Sequence, residues 1–103
     1  MPKRKGAMNI LPAKFVLQLY ITGDTALSRK AIMEVKKIVS GDLRDNCRLK
    51  IVDLLLHPEE AERYNIMVTP ALIRTHPKPE KKIIGDLSNK EDLLTGLDLT
   101  PRQ

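Results

Sequence analysis

The side chains that could perform thiol or metal chemistry are few in this sequence. Cys47 is the only cysteine, which excludes an intramolecular disulfide and a Cys-x-x-Cys redox motif. His57 and His76 are the only histidines, and each precedes a proline. One cysteine and two separated histidines do not have the spacing of a metal site. We therefore expect Cys47 to be a small structural residue, both histidines to be loop residues, and no metal or cofactor to be needed.

Acid–base catalysis and phosphate binding are also poorly supported. Glu59, Glu60 and Glu62 follow Pro58 and could be imagined as an acid–base pair. Glutamates just after a proline are, however, typical of a first helical turn, where the positive end of the helix favours them. The five glycines are isolated, so no glycine-rich phosphate loop is present. The sequence predicts a protein that is not an enzyme.

Length and charge indicate one folded domain. The chain has 103 residues, of which 42% are apolar and 3% aromatic, and its formal net charge is +5. Several of the basic residues precede or begin the first apolar run: Lys3, Arg4, Lys5 and Lys14. We predict a flexible basic leader at residues 1–13, a single domain at 14–99 and a short tail at 100–103. The folded part is then less basic than the total, and no nucleic-acid partner is expected.

The sequence of the leader also helps to predict the cellular location of the protein. Its apolar residues form a broken patch, which is too short for the apolar region of a signal peptide or for a membrane span. With a single cysteine in the chain, we expect a cytoplasmic protein with no membrane partner.

The first half of the chain has the pattern of a βαβ unit. Residues 15–21 are apolar apart from Gln18, as in a strand that is buried on both faces. Residues 23–41 carry apolar side chains at helical spacing, with Asp24 or Thr25 as the predicted cap and Gly41 at the end. The apolar stripe of this helix consists of Leu27, Ala31, Val35 and Ile38, widened by Ile32 and Val39. A second strand is predicted over residues 48–56, with a right-handed crossover.

The second half predicts a short helix, a hairpin and a last helix. Residues 58–64 have the pattern of the short helix, and residues 71–75 and 81–84 that of the two strands of the hairpin. Ser88 and Glu91 have the spacing of a capping box ahead of Leu93, Leu94 and Leu97. The resulting order, β-α-β-α-β-β-α, is that of thioredoxin, so the predicted fold class is α/β and thioredoxin-like.

The predicted fold has a known position for a reactive thiol. Thioredoxin-like enzymes carry it between the first strand and the first helix, where the helix N-terminus lowers the thiol pKa. Residues 22–28 read TGDTALS and contain no cysteine. A thiol- or glutathione-dependent enzyme is therefore a remote alternative, which only a measured disulfide reductase activity would revive. Thr69–Pro70 matches the position where thioredoxin-like domains hold a cis proline, so Pro70 is a candidate, although most X-Pro bonds are trans.

The last apolar segment has a divided preference. Leu93, Leu94 and Leu97 lie on one helical face, whereas Leu97 and Leu99 alternate as in a strand. Gly96 costs about 1 kcal/mol in a helix interior relative to alanine. In natural sequences, local preferences usually agree with the overall fold. The divided preference of this segment therefore indicates either two competing folds or a frayed helix end.

Several stretches between about residues 15 and 99 resemble the KaiB family of circadian clock proteins. The most specific is IIGDLSN at 83–89, followed by GLDL at 96–99. The others occur in the family's order: LQLY at 17–20 with Gly23, LKIVD at 49–53, Pro58 with Ala61 and Glu62, and TPAL at 69–72.

This resemblance implies a non-enzymatic regulator in a circadian clock or in a timer or stress-response system. Its thioredoxin-like state would bind the ring of a hexameric KaiC-type ATPase. Its other state would have a C-terminal half refolded to the order βαββααβ. In that state the protein would assemble with itself as a homotetramer, with a dimer as the other assembly considered.

The resemblance also assigns residues. Lys30, Lys82 and Lys90 match basic positions that face acidic groups of KaiC in the family. Gly96 and Asp98 match positions that tune the exchange between the two folds. The alternative interpretation is a thioredoxin-fold interaction module for another partner, such as a SasA-type signalling kinase, whose sensor domain shares the fold.

Overall fold

Three helices and four strands occur in the part of the chain that the computed structural model describes, residues 14–43 and 46–99. The predicted leader and tail lie outside these residues. The elements, in chain order, are β1 (Phe15–Ile21), α1 (Ala26–Ser40), β2 (Cys47–Asp53), α2 (Glu59–Arg63), β3 (Ala71–His76), β4 (Lys81–Ile84) and α3 (Lys90–Gly96). This order confirms the predicted thioredoxin-like α/β fold.

The four strands form one mixed sheet in the order β2-β1-β3-β4. β1 pairs in parallel with β2 and antiparallel with β3, and β3 pairs antiparallel with β4. The parallel pair needs a crossover, which α1 supplies. β1 is therefore a central strand, as its apolar run predicts, and β2 and β4 are the outer strands.

The sheet separates two apolar clusters, because successive side chains on a strand point to opposite faces. Phe15, Leu17, Leu19 and Ile21 of β1 pack on the side of α1 and α3, while Tyr20 faces α2. Burial of each large aliphatic side chain contributes about 1.5–3 kcal/mol. The hydroxyl of Tyr20 donates a hydrogen bond to Gln18 and lies 3.5 Å from Oε1 of Glu60. Burial and the nearby carboxylate of Glu60 raise the pKa of Tyr20.

Helix α1 begins and ends as predicted, and its apolar stripe is buried as predicted except at Leu27 in the first turn. The Oγ1 atom of Thr25, the N-cap, accepts a hydrogen bond from the Ser28 amide at 3.0 Å, and Gly41 is the C-cap. The expectation that Leu27 lies in the buried stripe was wrong, because Leu27 is 58% exposed and Ser28 is buried in its place. The buried hydroxyl of Ser28 forms a hydrogen bond with the hydroxyl of Thr25, with 3.0 Å between the two oxygen atoms.

Strand β2 is shorter than predicted. It ends at Asp53, and residues 54–56 form a turn rather than a continuation of the strand. The physical reason is the side chain of Asp53, whose Oδ1 accepts hydrogen bonds from the amides of Gly23 at 2.9 Å and Leu55 at 3.0 Å. The second bond turns the chain away from the sheet, as aspartate side chains commonly do in turns.

Helix α3 begins one residue later than the predicted capping box. Its N-cap is Asn89, whose Oδ1 accepts a hydrogen bond from the Asp92 amide at 3.0 Å, so the prediction of Ser88 and Glu91 was wrong. Asn89 and Asp92 have the same spacing, one position further on. The helix ends at Gly96, and Leu97 and Leu99 are both buried in the cluster on that side of the sheet. The strand-like alternative for this segment is not adopted here.

Candidate functional site

In this protein the turn between β1 and α1, where thioredoxin-like enzymes carry their thiol, has threonine hydroxyl groups instead. We call it the Thr22 turn. Thr22 follows β1, and its Oγ1 lies 2.8 Å from Oγ1 of Thr69. The peptide bond between Thr69 and Pro70 is cis. Thr25 is engaged in capping α1. The turn and the Pro70 segment are therefore adjacent, and their polar side chains bond each other or the backbone.

Cys47 lies at the other end of the sheet from this turn. It is the first residue of β2 and pairs with Phe15, the first residue of β1. The seven residues of β1, at about 3.3 Å each, separate it from the turn. Burial raises the pKa of its thiol to about 12, so the reactive thiolate is scarce at neutral pH. This position agrees with a structural role for Cys47.

Lys30 stands beside a surface cavity that adjoins Pro70. The cavity has a volume of about 350 Å³ and lies between α1, Pro70 and the loop after β4. Glu34 and Asp86 are the other charged side chains that line it, and Leu27 is among the apolar ones. Hydrogen bonds from the side chain and amide of Ser88 lower the pKa of Asp86, and the charge of Lys30 adds to this effect.

The structure brings Lys30 and Pro70 together, but it places the other two predicted contact lysines elsewhere. The Nζ atom of Lys82, on β4, donates to the carbonyl of Asn65 at 3.2 Å, just beyond α2. The Nζ atom of Lys90 lies 3.4 Å from Oδ2 of Asp42, in the turn after α1. Both lysines therefore hold neighbouring segments together within the domain. Among the residues described, Lys30 makes no ion pair within 4 Å.

The two predicted fold-switch residues flank the end of α3. A Cβ atom added at Gly96 would lie 2.5 Å from Cδ1 of Ile83, on β4. Asp98 has a φ of 54°, in the left-handed region that Asp tolerates better than most residues. The backbone here therefore constrains which side chains fit at both positions.

An exposed apolar surface, missed from sequence, surrounds the Thr22 turn. Its members, which we call the apolar rim, follow β1 and β2 or precede β3 and are between 49% and 86% exposed: Leu27, Leu55, Leu56, Met67 and Val68. Gly23 lies against Leu55 of this rim, and its φ of 71° is a backbone conformation that favours glycine. Exposed apolar side chains grouped near one turn in this way are typical of a protein contact. The Leu54–Leu56 run and the Met67–Val68 pair are the sequence signals that could have revealed it.

Asp53 joins the apolar rim to the Thr22 turn, and its titration gives a first prediction. Its hydrogen bonds from the Gly23 and Leu55 amides lower the pKa of its carboxyl. Because the pKa is lower in the folded protein, ionised Asp53 stabilises the fold above its ordinary pKa of about 3.9. This stabilisation disappears as the pH falls through the lowered pKa. We expect Asp53→Asn to lose less stability than the wild type on acidification.

Urea unfolding at pH 7 and at about pH 3 measures this difference. Asp86 titrates in both proteins, so its contribution cancels in the comparison. Equal losses of stability in the two proteins would contradict the role assigned to Asp53.

Two further features concern metal ions and membranes. In residues 14–43 and 46–99, no cluster of three or more His, Cys, Asp or Glu side chains is arranged to hold a metal ion. None of the helices in the same residues is long and apolar enough to cross a membrane.

The fold and this surface define a class of protein: a thioredoxin-like domain that has hydroxyl groups in place of a thiol at the β1–α1 turn. Comparison with known proteins gives the family. A model described as the KaiB domain matches residues 18–99. The chain is 47% identical over 88 residues to the circadian clock protein KaiB3 of Synechocystis sp., covering 85% of this chain and 86% of the relative. It is 44% identical over 92 residues to the circadian clock oscillator protein KaiB of Picosynechococcus sp., covering 89% and 88%.

The chain belongs to the KaiB family, as the stretches at 83–89 and 96–99 predict, and family membership supports a regulatory role in a circadian clock. Among solved structures, it is similar to the N-terminal domain of Synechococcus elongatus SasA, with a TM-score of 0.66, 25% identity, and 95% and 90% of the two chains covered. Mitochondrial thioredoxin 3 of Saccharomyces cerevisiae matches with a TM-score of 0.68 and 15% identity over 84% and 78%. The second likeness shows the fold alone.

Proposed function

We propose that this protein is a non-enzymatic regulator that binds a hexameric KaiC-type ATPase through Lys30 and the apolar rim. The observation that carries the proposal is the position of Lys30 on α1 beside this exposed apolar surface. A specific interface needs an apolar centre with charges around it. The apolar rim and Lys30 supply these two parts at one end of the sheet.

The charge of Lys30 supports an acidic partner. The cation has no ion-pair partner among the described residues, so it can pair with a carboxylate of another protein without breaking a contact in its own chain. Asp86 and Glu34 line the same cavity, and they would disfavour an acidic group placed further inside. The complementary surface would therefore carry its carboxylate at the edge of the cavity, with apolar side chains toward the rim.

Lys82 and Lys90 have a different part in this proposal. Each is exposed, but each already contacts its own chain, through Asn65 and Asp42 respectively. A partner carboxylate could join either contact, because an ammonium group has three donors. We therefore assign them a secondary role at the edge of the interface.

The proposal includes an exchange between two folds. The thioredoxin-like arrangement would be the state that binds the ATPase. A second state, with a C-terminal half of order βαββααβ, would be stored as a homotetramer in the cytoplasm. When the competent state is a minor one, its population lowers the apparent affinity by the same factor. A slow exchange would then delay formation of the complex, which is what a timer requires.

Gly96 and Asp98 allow this exchange to be biased. Alanine at Gly96, the last residue of α3, gains at most about 1 kcal/mol of helix propensity, offset in part because the end of the Ile83 side chain has to shift. Arginine at Asp98 replaces an anion at the negative end of α3 with a cation, a change of about 0.3–1 kcal/mol. In Asp98→Arg this gain is opposed by the φ of 54°, which arginine tolerates less well than aspartate. We infer that the two changes together still favour the thioredoxin-like arrangement.

The test is incubation of the purified protein with the KaiC-type ATPase of its own organism and ATP, followed by size-exclusion chromatography over hours. We expect slow formation of a ring complex. We expect the Gly96→Ala, Asp98→Arg variant to form it several times faster. Absence of a complex after a day would contradict the proposed partner, and equal rates for the two proteins would contradict the exchange of folds.

A second candidate is an interaction module for another partner. The similarity to the N-terminal domain of SasA favours it, since the two share a fold at 25% identity. Under this alternative the apolar rim would contact a signalling kinase and not an ATPase. A pull-down with each partner, using Lys30→Glu as the control, distinguishes the two.

A further inference from the structure

Arg74 is a buried cation without a buried anion. It lies on β3, between Ile73 and Thr75, and is 3% exposed. Arginine keeps its charge in proteins, and burial of an unpaired charge is costly. In residues 14–43 and 46–99, no carboxylate lies within 4 Å of its guanidinium group, so other groups have to compensate the charge.

Backbone carbonyls supply this compensation. The Nη1 atom of Arg74 donates to the carbonyl oxygen of Leu97 at 2.8 Å and lies 3.4 Å from that of Asp98. The Nη2 atom donates to the carbonyl oxygen of Pro79 at 2.7 Å. The Nε atom has no partner among the described residues. Arg74 therefore joins three segments: β3, the turn between β3 and β4, and the end of α3.

The end of α3 is suited to receive a cation. The carbonyl of Leu97, the C-cap of α3, and that of Asp98 directly follow the helix, whose C-terminal end carries a partial negative charge. Within the described residues, Arg74 is the only side chain that donates a hydrogen bond to Leu97 or Asp98. The left-handed φ of Asp98 turns the chain at this point, which brings two successive carbonyls to the same guanidinium.

We propose that Arg74 with the carbonyls of Leu97, Asp98 and Pro79, here called the Arg74 clamp, controls local opening of the end of α3. When this end leaves the sheet, water reaches both the guanidinium and the released carbonyls. The guanidinium charge is then hydrated, which it is not when buried. The free energy cost of opening is therefore smaller than the number of broken hydrogen bonds implies. The clamp thus holds residues 97–99 while allowing them to open without unfolding of the sheet.

Amide hydrogen exchange on the free protein tests the clamp. The amides of Leu97, Asp98 and Leu99 are all hydrogen bonded, so their protection can be measured by NMR. In Arg74→Leu we expect these three amides to exchange about tenfold or more faster, while those of β1 change less. Arg74→Lys retains a cation and should give an intermediate effect. Arg48→Leu, the same change at an exposed position on β2, should leave residues 97–99 unchanged.

The outcomes are distinct. Unchanged exchange at residues 97–99 in both Arg74 variants would overturn the proposal, as would an equal acceleration in β1. If Arg74→Leu does not fold, the ratio of exchange at residues 97–99 to exchange in β1 in Arg74→Lys decides in the same way.

A consequence for binding rests on the proposed function. Loss of the clamp should lower the population of the thioredoxin-like state and with it the apparent affinity for the ATPase. Because exchange is measured without any partner, failure of the wild type to bind would contradict the proposed function and leave the exchange result intact. Normal local protection in the variants would contradict the clamp whatever the binding result.

Discussion

Leu97→Ala is expected to destabilise the protein by about 2–5 kcal/mol. Leu97 is 0% exposed and belongs to the apolar cluster between the sheet, α1 and α3. Truncation removes buried methyl groups and leaves a cavity that the sheet can fill only in part. Since a domain of this size is stable by about 5–15 kcal/mol, such a loss is a large fraction of the total. Urea unfolding followed by far-UV circular dichroism measures it.

The matched control is Leu56→Ala in the apolar rim. Leu56 is 72% exposed, so we expect its truncation to change stability by less than about 0.5 kcal/mol. Similar losses for the two variants would show that the end of α3 does not pack as described. Loss at Leu97 alone would also show that this end contributes to the free energy of unfolding of the whole domain.

Lys30→Glu is expected to weaken binding to a KaiC-type ATPase by about tenfold to a hundredfold. The change replaces the proposed partner of an acidic group with a like charge, beside Asp86 and Glu34 in the same cavity. Binding of the wild type should also weaken as salt is raised, because the pair is exposed and screened. Titration calorimetry or surface plasmon resonance at two salt concentrations measures both effects.

Lys36→Glu is the control for this change. Lys36 is also exposed on α1, but six residues along a helix place it on another face from Lys30. It should bind as the wild type does. Equal weakening by the two variants would attribute the effect to net charge and would remove Lys30 from the proposed interface.

Local sequence patterns predicted most of the fold because the signals of most elements are strong. The apolar run of β1, the Thr25 and Gly41 caps of α1 and the Pro58 start before α2 are all local signals. Leu27 was misplaced because helical spacing identifies a stripe but not its exact angle to the sheet, and Ser28 could replace it only by bonding to Thr25.

The ends of strands and helices were harder to predict, because some side chains near them fit more than one local structure. Asp53 could interrupt an exposed strand face or end the strand, and its hydrogen bonds to Gly23 and Leu55 decide for the second. Ser88 and Asn89 are both good caps, one residue apart, so sequence alone could not choose between them.

The candidate site was predicted only in part. Lys30 was identified through the family resemblance and Pro70 through the predicted thioredoxin-like fold, and the structure places them beside one cavity. The local contacts of Lys82 and Lys90 depend on residues 17 and 48 positions away, Asn65 and Asp42. Arg74 gave no signal, since an arginine in a strand is usually exposed and its acceptor at Leu97 lies 23 residues along the chain.

Within the described residues, β2 and β4 are the edge strands of the sheet, and their charges affect how the protein behaves at high concentration. Unpaired strand edges are templates for aggregation, and natural proteins often protect them with lysine. Both outer strands carry exposed cations, Arg48 and Lys50 on β2 and Lys81 and Lys82 on β4. Two copies approaching edge to edge would bring these like charges together. These charges therefore oppose growth of the sheet into a filament, even though the apolar rim is exposed.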